Sequence, residues 1–209
     1  MPAQIYVLAG VNGAGKSSIG GAALAARGAT FFNPDLAART LRDANPGLAL
    51  EDANAEAWTL GRRGLERALA EGLNFAFETT LGGNTMAGLL LAGAQAGARI
   101  HVWYAGLASP ELHIERVRGR VAVGGHDIPA HKIRERYVGS RANLVKLLPH
   151  LASLRVYDNS ADAGSGPGTA WRPRPVLLLH MQAGRLVSHA GLVTIPLWAK
   201  PILASALSV

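Results

Sequence analysis

Gly10-Val11-Asn12-Gly13-Ala14-Gly15-Lys16-Ser17 satisfies the pattern GxxxxGK[ST] in full. Glycines at this spacing let successive backbone N–H groups curl around phosphate oxygens, and a helix starting near Lys16 would aim its positive end at the same anion. Lys16 is expected to bridge the β- and γ-phosphates of ATP, and Ser17 to ligate Mg²⁺, with Ser18 at the end of the nucleotide-binding run. The loop implies a nucleotide phosphate but not an acceptor, because motor ATPases, GTPases, transporters and small-molecule kinases share it.

A hydroxyl acceptor needs a carboxylate to take its proton while the γ-phosphoryl group moves in line. Asp35, in Phe31-Phe32-Asn33-Pro34-Asp35, stands just past a short apolar run and is the candidate base. Asp is also a favoured helix N-cap, so Asp35 is read in either role or both. Glu78-Thr79-Thr80 follows Phe75-Ala76-Phe77 and precedes Gly82-Gly83, a strand-end carboxylate with two hydroxyls suited to a polyhydroxylated substrate. The same threonines would also suit a polar turn that satisfies its own backbone. Glu56 is a further substrate-side candidate. Arg116 and Arg120, four residues apart on one helix face ahead of Gly124-Gly125, could fold in as a lid and stabilise charge on the transferring phosphoryl group. A solvated basic face paired with Glu111 and Glu115 is the competing account. No Walker B aspartate follows four aliphatics, so the Mg²⁺ shell is expected to rely on Ser17, water and the nucleotide.

Short β-branched or aromatic runs alternate with Ala/Leu-rich stretches of helical period, the pattern of β–α units around a mainly parallel sheet. Strands are predicted over 4–9, 30–33, 74–78, 99–106, 153–158 and 176–181, and helices over 16–26, 35–43, 51–71, 85–96, 109–121, 129–146 and 196–207. In a parallel sheet this order brings the phosphate loop, Asp35 and Glu78 to one carboxyl edge. Residues 161–175 read as a linker, and Gln182-Ala183-Gly184-Arg185 as the turn of a terminal hairpin covering the sheet edge.

The 209 residues suit one α/β domain over 1–209, with a lid at about 116–130 and a C-terminal hairpin and helix at about 176–207. Apolar residues are 49% of the chain and charged ones 17%, as in a packed globular fold. The absence of cysteine excludes disulfides, thiolate catalysis and Cys-bound zinc. No signal-like leader or membrane segment is read, so a cytoplasmic location is expected. A net charge of +7, concentrated between Arg116 and Arg141, suits an anionic ligand; without a nucleic-acid module or stacking aromatics, DNA and RNA are not the expected partners. His101, His113, His126 and His131 lack metal-ligand spacing and read as surface or turn residues, and Trp58, Trp103, Trp171 and Trp198 as core or interface.

With these residues in view the chain resembles the zeta-toxin-like P-loop kinases, in the compact bacterial branch also described as predicted ATPases. The markers are the phosphate loop, Asn33-Pro34-Asp35 with Arg39, Phe77-Glu78-Thr79-Thr80-Leu81, Ser109-Pro110-Glu111, Arg116 through Arg120-Val121, Gly124-Gly125-His126-Asp127-Ile128-Pro129, Arg136-Tyr137 with Ser140, and Tyr157-Asp158-Asn159-Ser160. The resemblance implies a three-layer P-loop NTPase fold of the nucleoside and shikimate kinase kind. It implies transfer of the ATP γ-phosphoryl group to the sugar of a UDP-activated amino sugar, chiefly UDP-N-acetylglucosamine. By the motifs, Asp35 looks like the catalytic aspartate, Lys16 the phosphate-loop lysine, Glu78 and Thr80 the sugar contacts, and Arg116 with Arg120 the γ-phosphate arginines. Two departures stand out: Thr79 replaces a glycine, and the second toxin arginine falls near Gly125 to Asp127. A toxin of this kind needs a separate antitoxin protein, whereas a housekeeping kinase needs none. The alternatives are a kinase of another metabolite or antibiotic hydroxyl, and a nucleotide-gated regulatory ATPase in which Asp35 is only a cap.

Overall fold

In the computed structural model, residues 2–16, 19–20, 31–125, 127–161 and 174–209 are described. Ser17, Ser18, His126 and Trp171 lie outside them, as do most of the helix expected over 16–26 and most of the linker expected over 161–175.

Gln4–Ala9 (β1) is the middle one of five parallel strands. It pairs in parallel with Phe75–Thr79 (β3) on one side and Arg99–Gly106 (β4) on the other. Phe31–Phe32 (β2) lies outside β3 and Ser153–Asp158 (β5) outside β4, both parallel to their neighbours. Because the chain runs away from β1 in both directions across the sheet, β1 is a topological switch point, and the crevice beyond its carboxyl end is where such sheets bind ligands. Val176–Gln182 (β6) pairs antiparallel with β5, and Arg185–His189 (β7) antiparallel with β6, giving the order β2-β3-β1-β4-β5-β6-β7. The hairpin therefore lengthens the sheet by two strands rather than covering its edge. Ala183 and Gly184 link β6 to β7 with positive φ at both positions, 50° and 72°, a backbone twist that matches the strands it joins.

Alternation along β1 sends Ile5, Val7 and Ala9 to one face and Leu8 to the other. The first face carries the main core. It is covered by Leu50–Glu71 (α2), Asn84–Gln95 (α3), Ala130–Leu147 (α5) and Lys200–Leu207 (α6), which contribute Leu65, Leu90, Leu144 and Ile202. On the second face Leu8 meets Ala76, Trp103 and Ile19, and Gly20 lies so close that an added Cβ would be 2.6 Å from Leu8 Cδ1. The C-terminal helix is shorter than its apolar run suggests: Leu197–Ala199 forms a 3₁₀ turn before α6 starts at Lys200.

Two further helices frame the site. Pro34–Ala44 (α1) follows β2, and Pro110–Ala122 (α4) follows β4, capped by Ser109, whose hydroxyl accepts from Leu112 N–H at 3.2 Å. Along α2 the buried residues Ala53, Ala57, Gly61, Leu65 and Ala68 form one stripe at helical spacing, and Ala53 and Ala57 pack on Ala38 of α1. Among the described residues no helix is long and apolar enough to cross a membrane.

Candidate nucleotide and acceptor site

The phosphate loop leaves β1 at Gly10 and is held from below on several sides. Gly10, Gly13 and Gly15 have φ of 142°, 80° and 74°, in the region that L side chains rarely adopt. Space is as limiting as angle: a Cβ on Gly10 would run into Ala105 O, and one on Gly13 would lie 2.8 Å from His113 O. Asn159, fully buried after β5, donates from Nδ2 to Ala14 O at 2.8 Å. His113 of α4 donates from Nδ1 to Asn12 O at 2.8 Å and is 1% exposed. Burial lowers its pKa to about 4, with Lys16 and Arg116 adding repulsion, so the ring is a neutral brace. His113 is thus neither a surface nor a turn residue, contrary to what its isolation from other histidines in the sequence suggests. His101 is also engaged, between Ser153 Oγ and Gln4 Oε1.

Lys16 points back over the loop. Its Nζ donates to Gly10 O at 2.8 Å and lies 3.3 Å from Glu78 Oε1, with exposures of only 8% and 15% for the two side chains. The other Glu78 oxygen accepts from Asn33 Nδ2 at 3.2 Å. Asn33, in turn, is the true N-cap of α1: its Oδ1 accepts from Asp35 N–H at 2.8 Å and Leu36 N–H at 3.2 Å, with Pro34 at the first helical position. The cap is therefore Asn33 and not Asp35. The Asp35 carboxylate stays available, exposed at the mouth of the cleft and 3.8 Å from Arg120 Nη1.

Arg116 and Arg120 share a helix face but take different partners. Arg116 donates to Asn159 O at 2.8 Å and Ser160 O at 3.0 Å, bracing α4 against the loop after β5 beneath the phosphate loop. Arg120 reaches the acceptor side. Glu111, offered as a partner for this face, pairs instead with Arg134 at 3.4 Å. Past Ala122 the chain turns through Gly124, at φ 93°, and Gly125 toward α5.

Helix α5 contributes three residues to which the sequence alone assigns no role, although Arg136 and Ser140 are among the markers of the family resemblance. Arg136, Ser140 and Asn143 lie on one face, at helical spacing, and all turn inward. Arg136 donates from Nη1 to Asn12 Oδ1 at 2.8 Å; burial pulls its pKa down, opposed by Glu135 and Asp35. Ser140 Oγ donates to Thr80 O at 2.7 Å, so the Tyr104 hydroxyl 3.0 Å away donates to Ser140, and burial pushes the Tyr104 pKa up to about 12. Asn143 donates to Leu81 O and Gly83 O at 3.0 and 3.1 Å. These bonds fix the turn after β3, in which Leu81 has φ 54° with its side chain fully buried. Within that turn Thr79 Oγ1 accepts from Leu81 N–H and Thr80 Oγ1 from Gly82 N–H, the local bonding that was one of the two expectations. Each hydroxyl keeps its proton to donate outward.

The result is a cleft of about 500 Å³. Its polar wall includes Asn12, Asp35, Glu78, Thr79, Thr80 and Arg136; its apolar wall includes Phe32, Trp58, Met86 and Ile128. Trp58 is 46% exposed at this rim, with Arg62 5.9 Å from its ring, and is not a core residue. Glu56 is exposed and stands off the cleft; its helix presents Asn54, Trp58 and Gly61 there instead. The loop's glycine geometry and a lysine already holding one anionic oxygen fit the polyphosphate of a nucleotide. Among the described residues no group of three or more His, Asp and Glu could hold a metal ion, and the expected ligand Ser17 lies outside them.

Comparison with known proteins agrees with this geometry. A chain of the AvrRxo1-ORF1:-ORF2 complex solved with ATP matches 99% of this chain at a TM-score of 0.65 and 16% identity; this chain spans 64% of that one. A chain of the PezAT chromosomal toxin–antitoxin system of Streptococcus pneumoniae matches 81% of this chain and 74% of its own length at a TM-score of 0.52 and 16% identity. Both likenesses concern the fold. In sequence, an uncharacterised protein of Haemophilus influenzae is 30% identical over 137 residues, 61% of this chain and 88% of that protein. The family model for the zeta toxin matches residues 2–163, a span that holds the phosphate loop, both candidate carboxylates and helices α1 to α5. By that match the chain belongs to the zeta toxin family of P-loop phosphotransferases.

Proposed function

We propose that the protein is an ATP-dependent kinase that passes the γ-phosphoryl group to a sugar hydroxyl, with a UDP-activated amino sugar such as UDP-N-acetylglucosamine as acceptor. The observation that carries this reading is the Asp35 carboxylate. Asn33 does the capping, so Asp35 is left facing a cleft that is also lined by Glu78, the carboxylate that holds Lys16. That disposition favours catalysis over a nucleotide-gated regulator in which Asp35 is only a cap.

In this reading the loop holds the β- and γ-phosphates, with Lys16 moving from Glu78 to the bridging oxygens. Ser17 and the nucleotide would hold Mg²⁺, which neutralises charge on the phosphates when bound. Asp35 accepts the hydroxyl proton of the acceptor, Glu78 with Thr79 and Thr80 orients its hydroxyls, and Arg120 approaches with the segment around 116–130 to face the transferring group. Arg116 acts from further back, by holding α4 in register. A cytoplasmic location goes with ATP as donor. The toxin–antitoxin assemblies among the structural relatives support a separate antitoxin as partner.

Thr79, standing where the toxins have glycine, favours one second reading: the same chemistry on the hydroxyl of another metabolite or of an antibiotic. Incubation with γ-labelled ATP and a panel of nucleotide sugars tests the assignment. Label on a UDP-sugar is expected, and its absence from every UDP-sugar overturns it. Asp35→Ala should remove transfer, by about 10²-fold or more, while nucleotide affinity is kept; acceptor-independent ATP hydrolysis that survives this change would support the regulator instead.

A further inference from the structure

Trp198 lies in the 3₁₀ turn that leads into α6, beyond the residues 2–163 that the family model matches. It is 3% exposed, and its Nε1–H has no hydrogen-bond partner among the described residues. A buried indole normally finds one, and going without costs stability. Phenylalanine would bury a ring there without that cost, so the indole is present for its reach. What it reaches is Gly106, the last residue of β4. A Cβ on Gly106 would run into Cη2 and Cζ3 of the Trp198 ring and lie 2.6 Å from Cζ2, and these are the three nearest atoms it would meet. Gly106 is not among the glycines of positive φ, so space and not angle demands glycine at this position.

The same end of β4 seats the phosphate loop. Gly10, where the loop begins, packs on Ala105 O so closely that it too has no room for a Cβ. Gly106 O accepts from Asn159 N–H at 3.0 Å; Asn159 in turn donates to Ala14 O within the loop and accepts from Arg116 of α4. The loop thus rests on Ala105 at its entry and hangs from Gly106, through Asn159, near its far end. Trp198 bears on Gly106 from the main core. It has little room to retreat, because its ring centre lies 6.2 Å from that of Tyr104, which is fully buried and tied through its hydroxyl to Ser140. In a close-packed interior a change at this contact is passed on to the end of β4, and from there to the loop.

We infer that Trp198 is a positioning residue for nucleotide binding: it props Gly106, and through Gly106 and Asn159 it fixes the phosphate loop against α4. This rests on the reading of the loop as the nucleotide site and adds a support that comes from outside the span the family model matches.

The test is a cycle of Gly106→Ala, Trp198→Leu and the two together in the whole protein, with ADP as probe in isothermal titration well below each melting temperature. Gly106→Ala should bind ADP about tenfold more weakly, the size expected when one methyl is forced into a closed site, and Trp198→Leu about threefold more weakly. In the double variant the methyl takes space that the ring has left, so affinity should return to within about threefold of the wild type, a coupling in the binding of folded protein. Amide hydrogen exchange without nucleotide should run faster over the loop in each single variant and slow again in the double. Trp198→Phe, whose ring lacks the reach to Gly106, replaces the leucine change if that variant does not fold, and should act in the same direction. Single variants that melt earlier but bind ADP like the wild type overturn the inference, as do effects on affinity that simply add. A wild type that binds no ADP removes the nucleotide reading instead, and the exchange cycle over the loop then decides the role of Trp198 by itself.

Discussion

Replacing Glu78 by glutamine should move the two substrates in opposite directions. Lys16 Nζ is held by Glu78 Oε1 at 3.3 Å and Gly10 O at 2.8 Å, in a setting where both side chains are largely buried. A phosphate can take Lys16 only by displacing that carboxylate. Hydrogen bonds to charged groups contribute about 1.5 to 3 kcal/mol, roughly twice as much as neutral ones. The amide introduced by Glu78→Gln keeps one acceptor oxygen for Lys16 but sets an N–H₂ against the Asn33 Nδ2 donor, so the hold on Lys16 weakens by about half of this, near 1 kcal/mol, and the repulsion between the carboxylate and the polyphosphate goes with it. ADP and ATP should then bind about five- to tenfold tighter. The acceptor loses a charged partner for its hydroxyl, and its kcat/KM should fall by about tenfold or more. Equilibrium titration with a fluorescent ADP analogue, without acceptor, measures the first effect; initial rates with saturating Mg-ATP measure the second. Weaker nucleotide binding by Glu78→Gln, or a fall in both together, would refute the view that Glu78 occupies Lys16 until ATP arrives and only then serves the acceptor.

His113 makes stability depend on pH. Its folded pKa, about 4, is below the ordinary 6.5, so its contribution is complete above pH 6.5 and is lost as pH falls, because the unfolded ring takes a proton that the folded one refuses. From pH 8 to pH 5 this amounts to about 2 kcal/mol, and His113→Gln should flatten that part of the profile in denaturant titrations followed at each pH. Asn143→Leu strips Leu81 O and Gly83 O of a buried donor; a loss of about 2 to 4 kcal/mol in unfolding free energy is expected, with a raised KM for the acceptor and little change in that for ATP.

The sequence reveals the scaffold better than the contacts. β1, β4 and β5 match their predicted bounds because each is an apolar run closed by glycine or a polar turn. The phosphate loop is evident from spacing alone, and its strand context from the same residues. Asn33-Pro34-Asp35 is ambiguous in sequence for a physical reason: Asn and Asp both cap helices, and only the placing of Pro34 at the first helical position makes Asn33 the cap. Arg116 and Arg120 look equivalent because four residues make one turn of helix, yet they lie one turn apart along α4 and so meet different loops. The polar face of α5 carries no assigned role in sequence, its Arg136 and Ser140 standing only among the markers of the resemblance. It is buried because the turn after β3, with a non-glycine residue at positive φ, exposes carbonyls that need donors, and no local pattern announces that need. An inward face of Arg136, Ser140 and Asn143 at spacings of four and three is the signal that could have found it.

The division of labour between α5 and α2 bears on how such enzymes diverge. Helix α5 ties Asn12 in the phosphate loop to Thr80 and Leu81 in the acceptor turn, so a change on its inner face disturbs donor and acceptor chemistry together. Helix α2 meets the cleft through Asn54, Trp58 and Gly61 without a hydrogen bond to the phosphate loop among the described residues. Drift along α2 can therefore reshape the pocket for a new alcohol while the transfer machinery keeps running, and descendants that differ in acceptor should differ first there.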